Sequence, residues 1–349
     1  MSGDHATIGF NALPLQASGA GVSTYIRELL GALAERTDAT LVPLVQASAV
    51  SELPGRVTPV TRRDGAGLRR VVAGLAGMGG VDLFHGLDVD LPARPRCPTV
   101  TTVHDLSVFD VPAGVPRHRV AGERLLVRHA LRRADVVIAV SAFTAARVRA
   151  RFGRDADVVH EAPGPDMVPA TAAEIAAVRA SLGLPDRFVL HVGSIDPRKN
   201  VGVLADACRR AGIPLVLAGG TLGCAPPAGA LTLGFVLRSL LPALYGAAEM
   251  VAYVSSYEGF GLPPLEAMAC GAAVVTTPVP AVRELVGDEA VTVAPGDGDG
   301  LAAAIGELAA DPARRAEVAE RCRRRATART WQNVADETLA LYRRAGVTC

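Results

Sequence analysis

The sequence predicts an α/β protein made of two doubly wound parallel-sheet domains, and three observations carry that expectation. Short runs rich in Val, Ile and Leu alternate with helix-length segments along nearly the whole chain, the pattern of parallel strands covered on both faces. The 349 residues exceed what one hydrophobic core usually supports. Several strand-like runs also end in glycine turns that lead directly into a helix, most clearly between Tyr253 and Gly271. A composition that is half hydrophobic, with 36 Gly and only 4% aromatic residues, suits such a protein with many tight turns.

Taken in order, residues 6–10 are the first buried strand. A loop from Asn11 to Ser18 precedes Gly19-Ala20-Gly21, and the helix that follows places Tyr25, Leu29, Leu30 and Leu33 on about one face. The Gly-x-Gly is not a dinucleotide fingerprint, because Thr24 stands where the third glycine belongs and the loop after the strand is too long. Further strands are expected at 40–45, 83–85, 99–103 and 136–140. Residues 54–80, rich in Gly and Arg, are hard to read from the sequence, with a mobile loop expected within them. Parallel sheets bind ligands beyond the carboxyl ends of their strands. His104, directly after the 99–103 strand, is therefore a site candidate, and His85 a weaker one. Ser141 is expected to cap a helix. Pro163, Pro165 and Pro169 make a stiff linker that closes the first domain at residue 167.

The second domain, 168–330, opens with a helix at 172–182 and a strand at 188–192. Gly193-Ser194-Ile195-Asp196-Pro197-Arg198-Lys199-Asn200 then turns into another helix. Lys199 is the only lysine among 36 basic residues. A compact ammonium retained in an Arg-biased chain, at a strand's carboxyl end, suits a site that binds phosphate better than a solvated basic turn. Strands at 215–218 and 231–235 and a helix at 239–247 lead to the strand 250–254. After it come Glu258-Gly259-Phe260-Gly261-Leu262-Pro263-Pro264-Leu265-Glu266 and a helix over 265–270. Strand, glycine loop and helix N-terminus in that order present free N–H groups and a positive dipole end to an anion. A strand at 273–276, a helix at 282–286, a strand at 291–293 and helices at 300–309 and 312–327 complete the domain. The Arg321–Arg325 cluster reads as a solvated helix face. A last helix occupies 331–345.

A net charge of +1 advertises neither nucleic acid nor an anionic membrane. No apolar run reaches about 18 residues, and the N-terminus lacks a basic-then-apolar leader. Six scattered cysteines without a Cys-x-x-Cys pair fit reduced thiols in a cytoplasm rather than disulfides or zinc, so no metal site is expected. The bias toward Arg and Ala suggests a GC-rich bacterial source.

The segment Glu258 to Glu266, two glutamates with seven residues between them and a Gly-Phe-Gly-Leu-Pro core, resembles the acidic motif of the family 4 retaining glycosyltransferases, which have the GT-B fold. The segment Asp196-Pro197-Arg198-Lys199 resembles that family's phosphate-binding turn, and His104-Asp105-Leu106 its sugar-contacting histidine. The resemblance implies two Rossmann-like domains facing across a cleft, with the acceptor on the side of 1–167, near the mobile loop expected within 54–80, and a nucleotide-diphosphate sugar held by 168–330. The helix of 331–349 would cross back to the first domain. It implies transfer of a sugar to an acceptor hydroxyl with retention of configuration, with no metal, cofactor or protein nucleophile. His104, Glu258, Lys199 and Arg198 would be the catalytic set. Gly21, Ser194, Gly259, Phe260, Gly261, Leu262 and Glu266 would bind the donor, Glu258 beside the sugar and Glu266 at the ribose. Where many members have Gly-Arg this chain has Gly193-Ser194, and Ala20 replaces a glycine of the first loop. A nucleotide-sugar epimerase of the same fold, or a non-catalytic partner protein, stays open at this point, as do the base, the sugar, the acceptor, a peripheral membrane contact and the oligomeric state.

Overall fold

The computed structural model describes residues 5–16, 21–112, 116–222 and 224–347. The chain divides into two compact units. One comprises Met1–Asp110, Pro116–Glu161 and Trp331–Cys349, and the other Val111–Val115 and Ala162–Thr330. The first stretch thus ends at Glu161, ahead of the boundary expected at 167.

In the first unit seven parallel strands run β1 (Thr7–Asn11), β2 (Thr40–Gln46), β3 (Val60–Arg62), β4 (Leu83–Gly86), β5 (Thr99–Val103), β6 (Val136–Ala139) and β7 (Asp157–Val158). Their order in the sheet is β3-β2-β1-β4-β5-β6-β7, so strand order reverses between β1 and β4. β4, β5 and β6 are buried along their whole length, which is why they read as unbroken apolar or threonine-rich runs. β3 and β7, three and two residues long, lie at the edges and were not expected. Edge strands this short carry no periodic signal. The stretch 54–80, hard to read from the sequence, contains a helix, Leu68–Ala76, bounded by Gly67 and Gly77, both at positive φ. The final helix, Trp331–Arg344, packs along Gly21–Arg36: Trp331 meets the Tyr25 ring edge-on at 5.8 Å, and Asp336 accepts two hydrogen bonds from Arg36 (2.8 and 2.6 Å).

The second unit holds β8 (Val189–Val192), β9 (Leu215–Ala218), β10 (Leu231–Gly234), β11 (Met250–Tyr253), β12 (Val274–Thr276) and β13 (Val291–Thr292). They form a parallel sheet of order β10-β9-β8-β11-β12-β13, with its reversal between β8 and β11. Apolar side chains predominate in β8, β9 and β11, joined by His191 in β8 and Tyr253 in β11, and helices including Val201–Arg210 and Leu262–Ala269 cover the faces. The reversal has a direct consequence for the site. The turn after β8 and the turn after β11, 59 residues apart at Lys199 and Glu258, emerge side by side at one edge.

Candidate active site

The turn after β8 is shaped by two glycines and one carboxylate. Gly193 and Gly219 have φ of 143° and 149°, and a Cβ on Gly219 would overlap the Gly193 carbonyl, so the ends of β8 and β9 approach this closely only because Gly219 lacks a side chain. Asp196 accepts hydrogen bonds from the Arg198 amide (2.9 Å), the Ser194 hydroxyl (2.7 Å) and the Arg198 guanidinium (3.4 Å). This fixes a single 3₁₀ turn over Pro197–Lys199. Asn200, with φ of 50°, then donates to the Val254 carbonyl at 3.0 Å, while the Ser256 amide donates to the Arg198 carbonyl at 2.8 Å. The two turns are thereby stitched together by backbone and side chain.

The stitching turns Lys199 inward. Its ammonium donates to Glu258 Oε1 at 2.5 Å and to the Tyr253 hydroxyl at 2.6 Å, and lies 4.8 Å from the centre of the Tyr253 ring. Lys199 is 7% exposed and Glu258 9%. Burial alone would lower the lysine's pKa, but Tyr253 and the Glu258 carboxylate outweigh it and hold the group above its ordinary value. Burial, followed by the Glu258 charge, raises the Tyr253 pKa. Beneath this cluster the His191 ring stacks on Tyr253, 5.7 Å between centroids, and its Nδ1 lies 3.2 Å from the Ala252 carbonyl. Burial pushes His191 down to about 4, so the ring is neutral. Its Nε2 is a buried atom with no hydrogen-bond partner.

The second turn runs from Tyr253 through Ser255 to the helix Leu262–Ala269. That helix starts three residues earlier than the sequence suggested, with Leu262, Pro263 and Pro264 all in its first turn, where a proline leaves no intrahelical bond unmade. Gly261 has φ of 114°, and a Cβ there would press on Val282, Leu285 and Pro264 at 3.3–3.4 Å. Phe260 and Leu262 are buried. The earlier start also puts Glu266 in the second helical turn, a correction to its expected place in the first. Glu266 sits apart from the lysine cluster. Tyr245 donates to its Oε2 and Arg238 to its Oε1, both at 3.3 Å, and Arg238 in turn makes paired bonds to Asp166 at 2.7 and 2.6 Å. Burial pushes Glu266 up to about 7, against the charge of Arg238.

In the first unit His104 follows β5 and has acceptors on both ring nitrogens, the Leu87 carbonyl at 2.9 Å on Nε2 and Glu161 Oε1 at 3.4 Å on Nδ1. The Tyr25 ring meets it edge-on at 4.7 Å. Burial disfavours the charge, yet the Glu161 carboxylate, with help from Asp88 and the Leu87 carbonyl, raises the imidazole pKa to about 9. His104 is therefore an imidazolium at neutral pH. Both its N–H groups are engaged within the protein, so it offers charge rather than a free donor. His85 is corrected from cleft candidate to core residue. It is fully buried, pushed down to about 3, and held between the Tyr342 hydroxyl (2.6 Å) and Thr102 Oγ1 (2.9 Å). Gly21 is the first residue of Gly21–Arg36, and a Cβ there would meet nothing within 4 Å. The preceding Gly19 and Ala20 lie outside the described residues.

The structure thus brings Lys199 and Glu258 into contact and places Arg198 and Ser194 on one carboxylate. Glu266 is held in a second cluster, and His104 and Gly21 belong to the other unit. Sequence reasoning missed Tyr253, Arg238, Asp166 and Glu161. Tyr253 had a usable signal, being the last residue of a buried strand next to the acidic motif. The others pair across 28 to 72 residues, where no spacing rule applies.

Comparison with known proteins supports the same picture. Residues 175–329 match the family model described as Glycosyl transferases group 1, and residues 19–164 that of Glycosyltransferase Family 4. The chain is 32% identical over 282 residues to the O-antigen chain mannosyltransferase B of Escherichia coli, covering 75% of this chain and 74% of that one. It is 33% identical over 294 residues to a D-inositol 3-phosphate glycosyltransferase of Kineococcus radiotolerans, covering 73% and 67%. Among solved structures, a sucrose-phosphate synthase from Thermosynechococcus elongatus superposes with a TM-score of 0.78 at 23% identity, over 97% of this chain and 99% of that one. The Anabaena protein HepE, solved with UDP-glucose, gives 0.76 at 20% identity over 97% and 100%. Among the described residues no helix is long and apolar enough to cross a membrane. With two reversed parallel sheets and matches along both units, the chain belongs to the group 1, family 4 glycosyltransferases and has their GT-B fold.

Proposed function

We propose that this glycosyltransferase moves a hexose from a nucleoside diphosphate sugar to an acceptor hydroxyl, with retention of anomeric configuration and without a metal ion. The observation that carries this reading is the buried Lys199–Glu258 pair at the carboxyl ends of β8 and β11. An ammonium has three donors. Glu258 and Tyr253 take two of them, which leaves the third for a phosphate oxygen. Arg198, two bonds into Asp196, is the second cation at the diphosphate, and the N–H groups around Gly259, Phe260, Gly261 and Leu262 supply neutral donors. Positive charge fixed in place before the reaction stabilises a leaving diphosphate without reorganisation, the task a metal would otherwise perform. Glu258, held by the lysine, faces the transferred sugar, and Glu266 accepts the ribose hydroxyls. Ser194 and Gly21 complete the donor contacts. His104, as an imidazolium, contributes a fixed positive charge within the first unit. The names of the relatives, an O-antigen chain mannosyltransferase and inositol phosphate glycosyltransferases, favour a sugar or cyclitol hydroxyl as acceptor. A bacterial cytoplasm is the setting the composition favours.

The test is titration with UDP, GDP, dTDP and ADP, followed by assays of UDP-glucose, GDP-mannose and the matching donors for transfer to sugar and inositol acceptors. Wild type should bind one nucleotide, act equally in EDTA, and yield a product with the donor's anomeric configuration. Lys199→Ala should weaken that nucleotide roughly ten- to hundredfold, the worth of a charged hydrogen bond of about 1.5–3 kcal/mol. Unchanged affinity would remove Lys199 from the donor site, and an inverted product would exclude retention.

A further inference from the structure

We propose that Arg238 is a positioning residue for the donor's ribose, holding Glu266 ionised and oriented, with Asp166 setting the position of Arg238. The inference rests on the reading of Glu266 as the ribose acceptor and adds a residue pair that the motifs do not contain.

The geometry is that of a supported carboxylate. A carboxylate offers about four acceptor positions. Tyr245 occupies one on Oε2 and Arg238 one on Oε1, which leaves one on each oxygen, the pattern needed to receive the two neighbouring hydroxyls of a ribose. Arg238 stands in the 3₁₀ turn Arg238–Leu240 and is fixed by its paired bonds to Asp166. Its guanidinium lies where any Cβ on Gly164 would be, so the glycine clears its seat. Asp166 sits just after that glycine, and the Met167 amide donates to the Gly164 carbonyl at 2.9 Å. The charged and titratable groups around Glu266 are Arg238, Asp166, Tyr245 from the helix Leu241–Ala247, and Cys270 after the helix Leu262–Ala269. Only Arg238 among them is a cation. Burial and the Asp166 charge favour a protonated Glu266, and a protonated carboxyl is a poor acceptor for two hydroxyls. Arg238 opposes both, while pairing with Asp166 at the same time.

The two partners therefore have opposite effects on the pH at which Glu266 ionises. Arg238→Gln removes the cation and leaves Asp166 unneutralised, so ionisation moves to higher pH. Asp166→Asn removes the repelling charge and frees the guanidinium for Glu266, so ionisation moves to lower pH. UDP, GDP, dTDP and ADP are titrated calorimetrically against wild type, Arg238→Gln, Arg238→Lys and Asp166→Asn between pH 5.5 and about 9.5. Glu266→Gln is the control that reports the phosphate's own titration. Affinity of the bound nucleotide should rise with pH, with a midpoint shifted up by about one unit or more in Arg238→Gln and down in Asp166→Asn. Arg238→Lys should restore most of the wild-type midpoint. Affinity lost by the same factor at every pH in both variants, or midpoints that do not move, overturns the inference and leaves the donor reading standing. No binding of any of the four nucleotides to wild type overturns the donor reading and this inference with it. Should Arg238→Gln fail to fold, the downward shift in Asp166→Asn decides the matter alone.

Discussion

A histidine with acceptors on both ring nitrogens is held as an imidazolium, and His104 owes that state to Glu161. The folded-state pKa of about 9 lies above the ordinary 6.5. The pair's contribution to stability is thus complete below about pH 6.5 and is lost as pH rises through 9. Glu161→Gln should lower the unfolding free energy by about 2–3 kcal/mol at pH 6 and by little at pH 10. Denaturant titration at both values checks this, and equal losses at both would show a neutral ring. The histidine itself was legible, because it follows a buried strand and precedes Asp105. Its partner was not, since Glu161 lies in a proline-rich stretch that reads as linker and meets His104 only once β5 and β7 share a sheet.

At the level of elements, the second unit's site is an agreement between two turns on neighbouring strands. Each turn was visible as strand, glycine and helix start. What the local pattern left out was the contact between turns, where Gly219 admits the Gly193 carbonyl. Gly219→Ala meets both a disfavoured φ of 149° and a backbone atom that cannot swing aside. It should cost at least about 1–3 kcal/mol and displace the turn that carries Lys199. Thermal melts and nucleotide titration should both register the change, whereas a variant that melts and binds as wild type would show that β9 moves freely. Helix starts were misjudged for a related reason. The helix expected from Leu265 begins at Leu262, because Pro263 and Pro264 both fit its first turn.

For the molecule as a whole, the C-terminal helix is part of the first unit's core. Tyr342, fully buried, donates to or accepts from His85, which bonds Thr102, which bonds the Tyr25 hydroxyl at 2.9 Å. Tyr342→Phe would leave a buried ring nitrogen unpaired and should cost about 1–3 kcal/mol, read from denaturant unfolding; Tyr342→Phe with unchanged stability would mean that the bond is not formed. Such a contact spans 257 residues, and only the fold can supply it.

What is local or periodic was legible in the sequence: the alternation that makes two parallel sheets, the glycine turns, and the acidic motif and lone lysine of the candidate site. Those features depend on neighbours within one or two turns of chain, so they survive without the fold. The tertiary structure alone decided which charges meet. Reversal of strand order between β8 and β11 set Lys199 on Glu258, while Arg238, Asp166 and Glu161 found their partners only across the chain. Charge pairing depends on distance and burial, and neither exists until the sheets have formed.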